Sequence, residues 1–325
     1  MTRRILSIDG GGVRGIIPAV ALAAFEAEIK GRARDHFDFV AGTSTGALVA
    51  AAVAAGVPAE RIVEMYLRRA PALFHRIPVI STLQRVLFGR LYDVERLHRF
   101  IKEELGAEGA ADWRLNDVPL DIMVTAKGLD DGHQWFFVKD QPSNASSTGQ
   151  LGLADCLTAS AAAPTFFGPW TVPGFEHEGP MVDGGTGVAG NPVYQACVEA
   201  FSFMDRYQAA DTIVVSLGTG QFLERGRPTW LYSWLGWLLS ELLRSPGEQQ
   251  TELVDRHFAA ATFYRIDVRL EREFPLDDPS QMAALRDIGE RLAARIDWPA
   301  VLEGRDTEWL VTRHRRQPQA YAEAV

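Results

Sequence analysis

Two hydrophobic patterns alternate along this chain. Short, nearly continuous apolar runs occur at residues 5–8 (ILSI), 37–41, 120–126 (LDIMVTA), 134–138, 212–217 (TIVVSL) and 262–268. Runs of that length and character predict strands buried on both faces. Between them lie stretches with helical spacing, at 16–30, 61–69, 94–105, 151–161, 192–203, 230–243 and 281–296, and an alanine-rich segment that ends near Gly56. Pro18 falls in the first turn of the first helix, where its missing N–H does no harm. Strands alternating with helices predict an α/β fold, a three-layer α/β/α sandwich with a mostly parallel central sheet. No repeat, low-complexity tract or long linker divides the chain. A single domain is expected over residues 1–300, with a polar, solvated segment at 301–325.

Composition narrows the function classes. Hydrophobic residues make up 47% of the 325 and charged residues 23%, ordinary for a globular protein. The net charge of −9 speaks against nucleic acid as the main ligand, although Arg225, Arg227 and Arg244 form a local basic patch. Cys156 and Cys197 have neither metal-ligand nor disulfide spacing and are expected as reduced core residues. No metal site and no cofactor is expected. The N-terminus MTRRILSIDGGG enters a strand directly, with no visible signal peptide, and no apolar stretch reaches ~20 residues. A cytoplasmic protein is expected.

Residues 9–15 (DGGGVRG) form a glycine loop between a strand and a helix. Its backbone N–H groups are unshielded by side chains, and the helix N-terminus behind them adds unpaired donors, so the loop suits an anion. That anion is either a standing phosphate or an oxyanion formed during a reaction. Gly10, Gly12 and Gly15 also match the dinucleotide fingerprint G-x-G-x-x-G. That fingerprint needs an acidic residue near the end of the next strand, where this chain reads Val-Ala-Gly-Thr-Ser.

Residues 42–46 (GTSTG) match G-x-S-x-G at a strand-to-helix seam. Gly42 and Gly46 remove the side chains that would block a sharp turn, and Ser44 is then presented as a nucleophile. A plain helix N-cap is the competing reading, and the two are compatible. The proton of Ser44 needs an acceptor. None of the seven histidines (His36, His75, His98, His133, His177, His257, His314) sits in small, glycine-rich surroundings. At residues 181–185 (MVDGG) a short apolar run ends in Asp183 followed by Gly184 and Gly185. A desolvated aspartate within hydrogen-bond reach can take a serine proton, while an ordinary Asp-Gly-Gly turn is the simpler alternative.

In combination and order, DGGGVRG, GTSTG and DGG strongly resemble the patatin-like phospholipase family. Residues 159–167 (ASAAAPTFF) and 216–220 (SLGTG) agree with it, and the resemblance covers about residues 5–220. It implies a serine lipid acyl hydrolase with a Ser44–Asp183 dyad, an acyl-enzyme on Ser44, and an oxyanion hole of the Gly10, Gly11 and Gly12 N–H groups. Arg14 is implied to brace the loop or to meet a phosphate head group, with a purely structural ion pair as the alternative. One departure follows the aspartate: the chain reads Gly-Asn-Pro at 190–192 where many members have Asn-Asn-Pro, which leaves a role for Asn191 open.

The implied substrate is a phospholipid or another acyl-ester lipid. Residues 229–243 (TWLYSWLGWLLSELL) carry Trp230, Trp234 and Trp237 at helical spacing, suited either to a lid or to a peripheral membrane-surface contact. Residues 71–92, apolar and broken by prolines, suit a cap or lid insertion. Two other readings stand beside the first: a cyclic-nucleotide-gated phospholipase effector, and a dinucleotide-binding protein using the glycine loop alone.

Overall fold

Among the residues described by the computed structural model (2–74, 91–141, 147–222 and 247–311), seven strands form one sheet. They are β1 Arg3–Ile8, β2 Phe39–Thr43, β3 Asp121–Gly128, β4 Gln134–Val138, β5 Met181–Asp183, β6 Thr212–Leu217 and β7 Thr262–Ile266. The order is β4-β3-β2-β1-β6-β7, with β5 also on β3. Strands β1, β2, β3, β6 and β7 run parallel, and β4 and β5 run antiparallel to β3. The chain leaves β1 for β2 on one side and returns to β6 on the other. That reversal of strand order opens a crevice beyond the carboxyl ends of the central strands. Asp9, Ser44 and Gly218 each follow one of those ends.

The helices that cover the sheet are α1 Ile16–Ile29, α2 Thr45–Ala55, α3 Ala59–Glu64, α4 Val94–Gly106, α5 Leu153–Ala161, α6 Val193–Val198, α7 Met282–Ala293 and α8 Trp298–Glu303. Alternate strand residues feed opposite cores. Leu6, Val40, Ile122 and Val215 join the larger cluster with α1, α2 and α5, while Ile5, Phe39, Met123 and Val214 join the smaller one with α6. Period-two alternation thus persists in strands that are apolar on both sides. In α4 the buried positions Val94, Leu97, Ile101 and Leu105 recur every three or four residues, and Asp93 caps the helix by accepting the Glu95 N–H at 3.1 Å.

Three differences from the sequence reading have physical causes. β2 begins at Phe39, two residues into the apolar run, because the Asp38 carboxylate first turns aside to accept the Arg4 N–H at 2.8 Å. α3 and α6 each pass into a π turn, at Met65–Arg69 and Glu199–Phe203. The expected solvated segment begins too early at 301: Val301 is fully buried, Trp298 stacks edge-on against Phe25 at 5.1 Å, and Leu310 bridges to Tyr264. Residues 301–311 therefore pack on the fold through Val301, Leu302 and Trp309 while Glu303, Arg305, Asp306 and Glu308 stay exposed, and 312–325 lie outside the described residues. So does nearly all of the expected cap at 71–92 (residues 75–90), and so does the tryptophan-rich stretch at 229–243. No described helix is long and apolar enough to cross a membrane.

Candidate active site

Ser44 is the single residue between β2 and α2, and it takes φ 55° and ψ −126°. A side chain in that conformation is strained by about 1–3 kcal/mol and persists only where its surroundings impose it. Here the surroundings are backbone. A Cβ on Gly46 would overlap the carbonyls of Ile8 and Asp9, and one on Gly42 would overlap Gly46 and Ala47, so the helix start lies directly on the strand end. The Thr43 hydroxyl is bonded to that of Thr125 at 2.7 Å, and the Ser44 N–H donates to Ser160 Oγ at 2.8 Å.

Asp183 reaches the same place through sheet register. β2 leaves the edge of β3 at the pair Thr43–Thr125, and β5 takes over that edge at the next residue, with Asp183 opposite Ala126. The Asp183 N–H donates to Ala162 O at 3.0 Å, so α5 and the turn after it hold both Ser44 and Asp183. The Asp183 carboxylate is buried. It accepts the Gly185 N–H at 2.7 Å, and the Ser44 side chain lies close enough to act on it. Burial pushes its pKa up to about 6, and those two neighbours pull the other way. Gly184 packs on Thr125, where a Cβ would overlap the threonine.

The glycine loop abuts this pair: a Cβ on Gly10 would lie 3.4 Å from Ser44 Cβ. One expectation fails here. The Gly10 N–H donates to Gly190 O at 2.9 Å and is not a free donor. The N–H groups of Gly11 and Gly12 have no acceptor among the described residues. Gly12 has φ 56°, and any side chain there would strike Leu276. Thr219 holds the loop from below, its hydroxyl donating to Gly10 O at 2.8 Å. Arg14 donates to Gly220 O at 3.2 Å and to Gly11 O at 3.5 Å, so of its expected roles the structure shows the bracing one. Gly15 leaves room for the hydroxyls of Thr45 and Tyr66, which meet directly above it.

Sequence reasoning missed the charge beneath the loop. Arg265 on β7 makes a two-pronged ion pair with Asp9 at 2.6 and 2.9 Å, and also meets Asp267 at 2.8 Å and Ser216 Oγ at 2.8 Å. Burial pushes Asp9 up to about 6 against the pull of that guanidinium. An arginine and an aspartate inside the apolar run 262–268 were the available signal, because charges in a buried strand require partners. Asn191, whose role stood open, is buried and caps α6 by accepting the Val193 N–H at 3.1 Å.

The described histidines are occupied elsewhere. His36 packs on Phe25, His98 on Trp170 and Thr158, His257 on Tyr194, His177 on Phe175, and His133 pairs with Asp131. Cys156 and Cys197 are free and buried, as expected. The site thus combines a serine at a strained elbow, a buried carboxylate near it, and an adjoining loop with two N–H groups that have no acceptor among the described residues. That set can form a nucleophile, accept its proton and stabilise an oxyanion.

Comparison with known proteins finds both a family and individual relatives. The family described as Patatin-like phospholipase matches residues 6–197. Patatin-like protein 2 of Arabidopsis thaliana is 30% identical over 300 residues, covering 79% of this chain and 71% of that protein. A protein named cGAMP-activated phospholipase from Escherichia coli (strain TW11681) is 30% identical over 227 residues, 66% of this chain and 62% of that protein. Among solved structures, VipD from Legionella pneumophila aligns with TM-score 0.42 and 11% identity over 90% of this chain and 67% of that one.

Proposed function

The chain belongs to the patatin-like phospholipase family and is a lipid acyl hydrolase, and we propose that it cleaves fatty-acyl esters of (phospho)lipids through a dyad of Ser44 and Asp183. The observation that carries this reading is that the elbow at Ser44 and the end of β5 bring the serine beside a buried carboxylate that burial has made unusually basic. A carboxylate of ordinary pKa is a poor proton acceptor, and one raised to about 6 is still ionised at neutral pH yet much better matched to the task.

In the proposed reaction Ser44 Oγ attacks the ester carbonyl as its proton passes to Asp183. The N–H groups of Gly11 and Gly12 receive the oxyanion, replacing the expected set that included Gly10. The alcohol leaves with the proton returned by Asp183. Water then attacks the acyl-Ser44 ester, giving its proton to Asp183, and Ser44 regains a proton as the fatty acid departs. Ser44→Ala and Asp183→Asn are each expected to lower hydrolysis of a chromogenic short-chain ester by about 10³-fold or more while leaving the circular dichroism spectrum unchanged. A folded Asp183→Asn protein with full activity would overturn the dyad.

A second reading, gating by a cyclic nucleotide, has in its favour the similarity to the Escherichia coli protein. The same assay run with and without an added cyclic dinucleotide separates the two, since constitutive hydrolysis leaves nothing to gate. Family membership removes the reason for a dinucleotide cofactor at the glycine loop, which packs against the Ser44 elbow. Membrane-surface contact through 229–243 remains a proposal on a stretch outside the described residues.

A further inference from the structure

Two stretches far apart in the chain hold the two halves of the site. The end of α5 and the turn after it carry Ser160, which accepts the Ser44 N–H, and Ala162, whose carbonyl accepts the Asp183 N–H at 3.0 Å. The loop between β7 and α7 carries Leu276. Its carbonyl accepts the Val13 N–H at 2.8 Å and occupies the space beside Gly12 that a side chain there would take. One residue touches both stretches. The Tyr92 N–H donates to Phe166 O, in the turn after α5, at 2.7 Å. Its hydroxyl donates to the carboxylate of Asp277, the residue after Leu276, at 2.9 Å.

Both ends of this link are placed with little freedom. The Tyr92 ring lies 5.6 Å from the rings of Phe74 and Phe167 and stacks on Phe166 at 6.5 Å, which fixes the direction of its hydroxyl. Tyr92 and Asp277 are both buried, so a bond between them is costly to leave unmade. Where Tyr92 meets the turn, the backbone is strained: Thr165 takes φ 71°, and its carbonyl accepts the Leu91 N–H at 3.1 Å. Such a conformation persists only where its surroundings impose it. On the other side, residues 270–278 form neither strand nor helix. No ladder of backbone bonds sets the position of Leu276, so individual contacts such as the one at Asp277 must do it.

We propose that Tyr92 is a positioning residue for the glycine loop, tying the turn behind Asp183 to the carbonyl that seats Gly12 and Val13. The proposal rests on the reading of Gly11 and Gly12 as the oxyanion donors. Tyr92→Phe keeps the ring and removes the link. It is expected to lower kcat for p-nitrophenyl butanoate about tenfold with KM within about twofold, measured well below the melting temperature. A tyrosine that served stability alone would lower the melting temperature and leave kcat as it was. In a cycle with Asp277→Ala, a double variant no slower than the slower single supports one shared link, and losses that multiply count against it. Amide hydrogen exchange gives a readout independent of catalysis. The Val13 amide, which donates to Leu276 O, is expected to exchange about tenfold faster in Tyr92→Phe than the amides of β1 and β2 alone would require. Unchanged Val13 exchange together with unchanged kcat would overturn the link. Faster exchange with unchanged kcat would leave the link standing, and would overturn the oxyanion reading and with it the catalytic role of Tyr92.

Discussion

At the scale of the residue, Asp183 carries opposing demands. As the proposed base its carboxylate must be ionised to accept a proton, yet burial favours the neutral form and lifts its pKa from 3.8 to about 6. Activity should therefore fall as pH drops through about 6 and level off above it, in a profile of kcat/KM against pH for a chromogenic ester. Stability runs the other way. Between 3.8 and about 6 the native state holds a proton that the unfolded chain has released, so stability declines as pH rises through that window. At neutral pH the ionised side chain then costs roughly 3 kcal/mol. Asp183→Asn, inactive, is expected to melt at or above the wild-type temperature at pH 8. A marked loss of thermal stability in that variant would show that the carboxylate is a structural asset instead.

At the scale of the element, the site depends on two irregular pieces of backbone, the elbow at Ser44 and the π turn at Met65–Arg69. The extra residue in a π turn shifts the side chains that follow, and such turns gather at functional sites. Here it brings the buried Tyr66 hydroxyl onto the hydroxyl of Thr45, the residue after Ser44. Tyr66→Phe keeps the ring and leaves Thr45 buried without that partner, at an expected cost of about 1–3 kcal/mol. A looser elbow should lower kcat more than it changes KM. In a double-mutant cycle, Tyr66→Phe with Thr45→Val should recover part of the stability, because both polar partners are then gone. Additive losses in urea melts would mean that the two hydroxyls do not act together.

At the scale of the molecule, the N-terminal loop leans on the second half of the chain. The family match ends at residue 197, but Asp9 is held by Arg265, Gly10 by Thr219 and Gly12 lies against Leu276. Arg265 is nearly buried among Asp9, Asp267 and Ser216. Removing it takes from Asp9 and Asp267 the cation they pair with and leaves Arg14 as the nearby positive charge. Arg265→Met is expected to destabilise the fold by about 3–5 kcal/mol. Asp9→Asn combined with Arg265→Met should be less damaging than Arg265→Met alone, since one uncompensated charge is removed. Chemical denaturation of the two variants measures the difference.

Much of this was legible in the sequence. The apolar runs placed six of the seven strands, and Gly-x-Ser-x-Gly and the glycine loop announced their own geometry because a turn is set by a few consecutive residues. β5 escaped as a strand because three residues, Met181–Asp183, carry no periodicity. Ser160 was visible only as part of a family stretch, and Tyr66 and Arg265 not at all, because their partners lie far along the chain and meet only through packing. Gly10 looked like a donor because a sequence does not show where an N–H is already engaged. What the sequence by itself determined was the set of local devices: parallel strands, a serine at a sharp turn, a glycine loop without side chains, an aspartate before two glycines. What only the tertiary structure decided was that they converge. β5 joins the edge of β3 at the residue where β2 leaves it, and hydrogen-bond register across a sheet, unlike a turn, is a property of two distant segments at once.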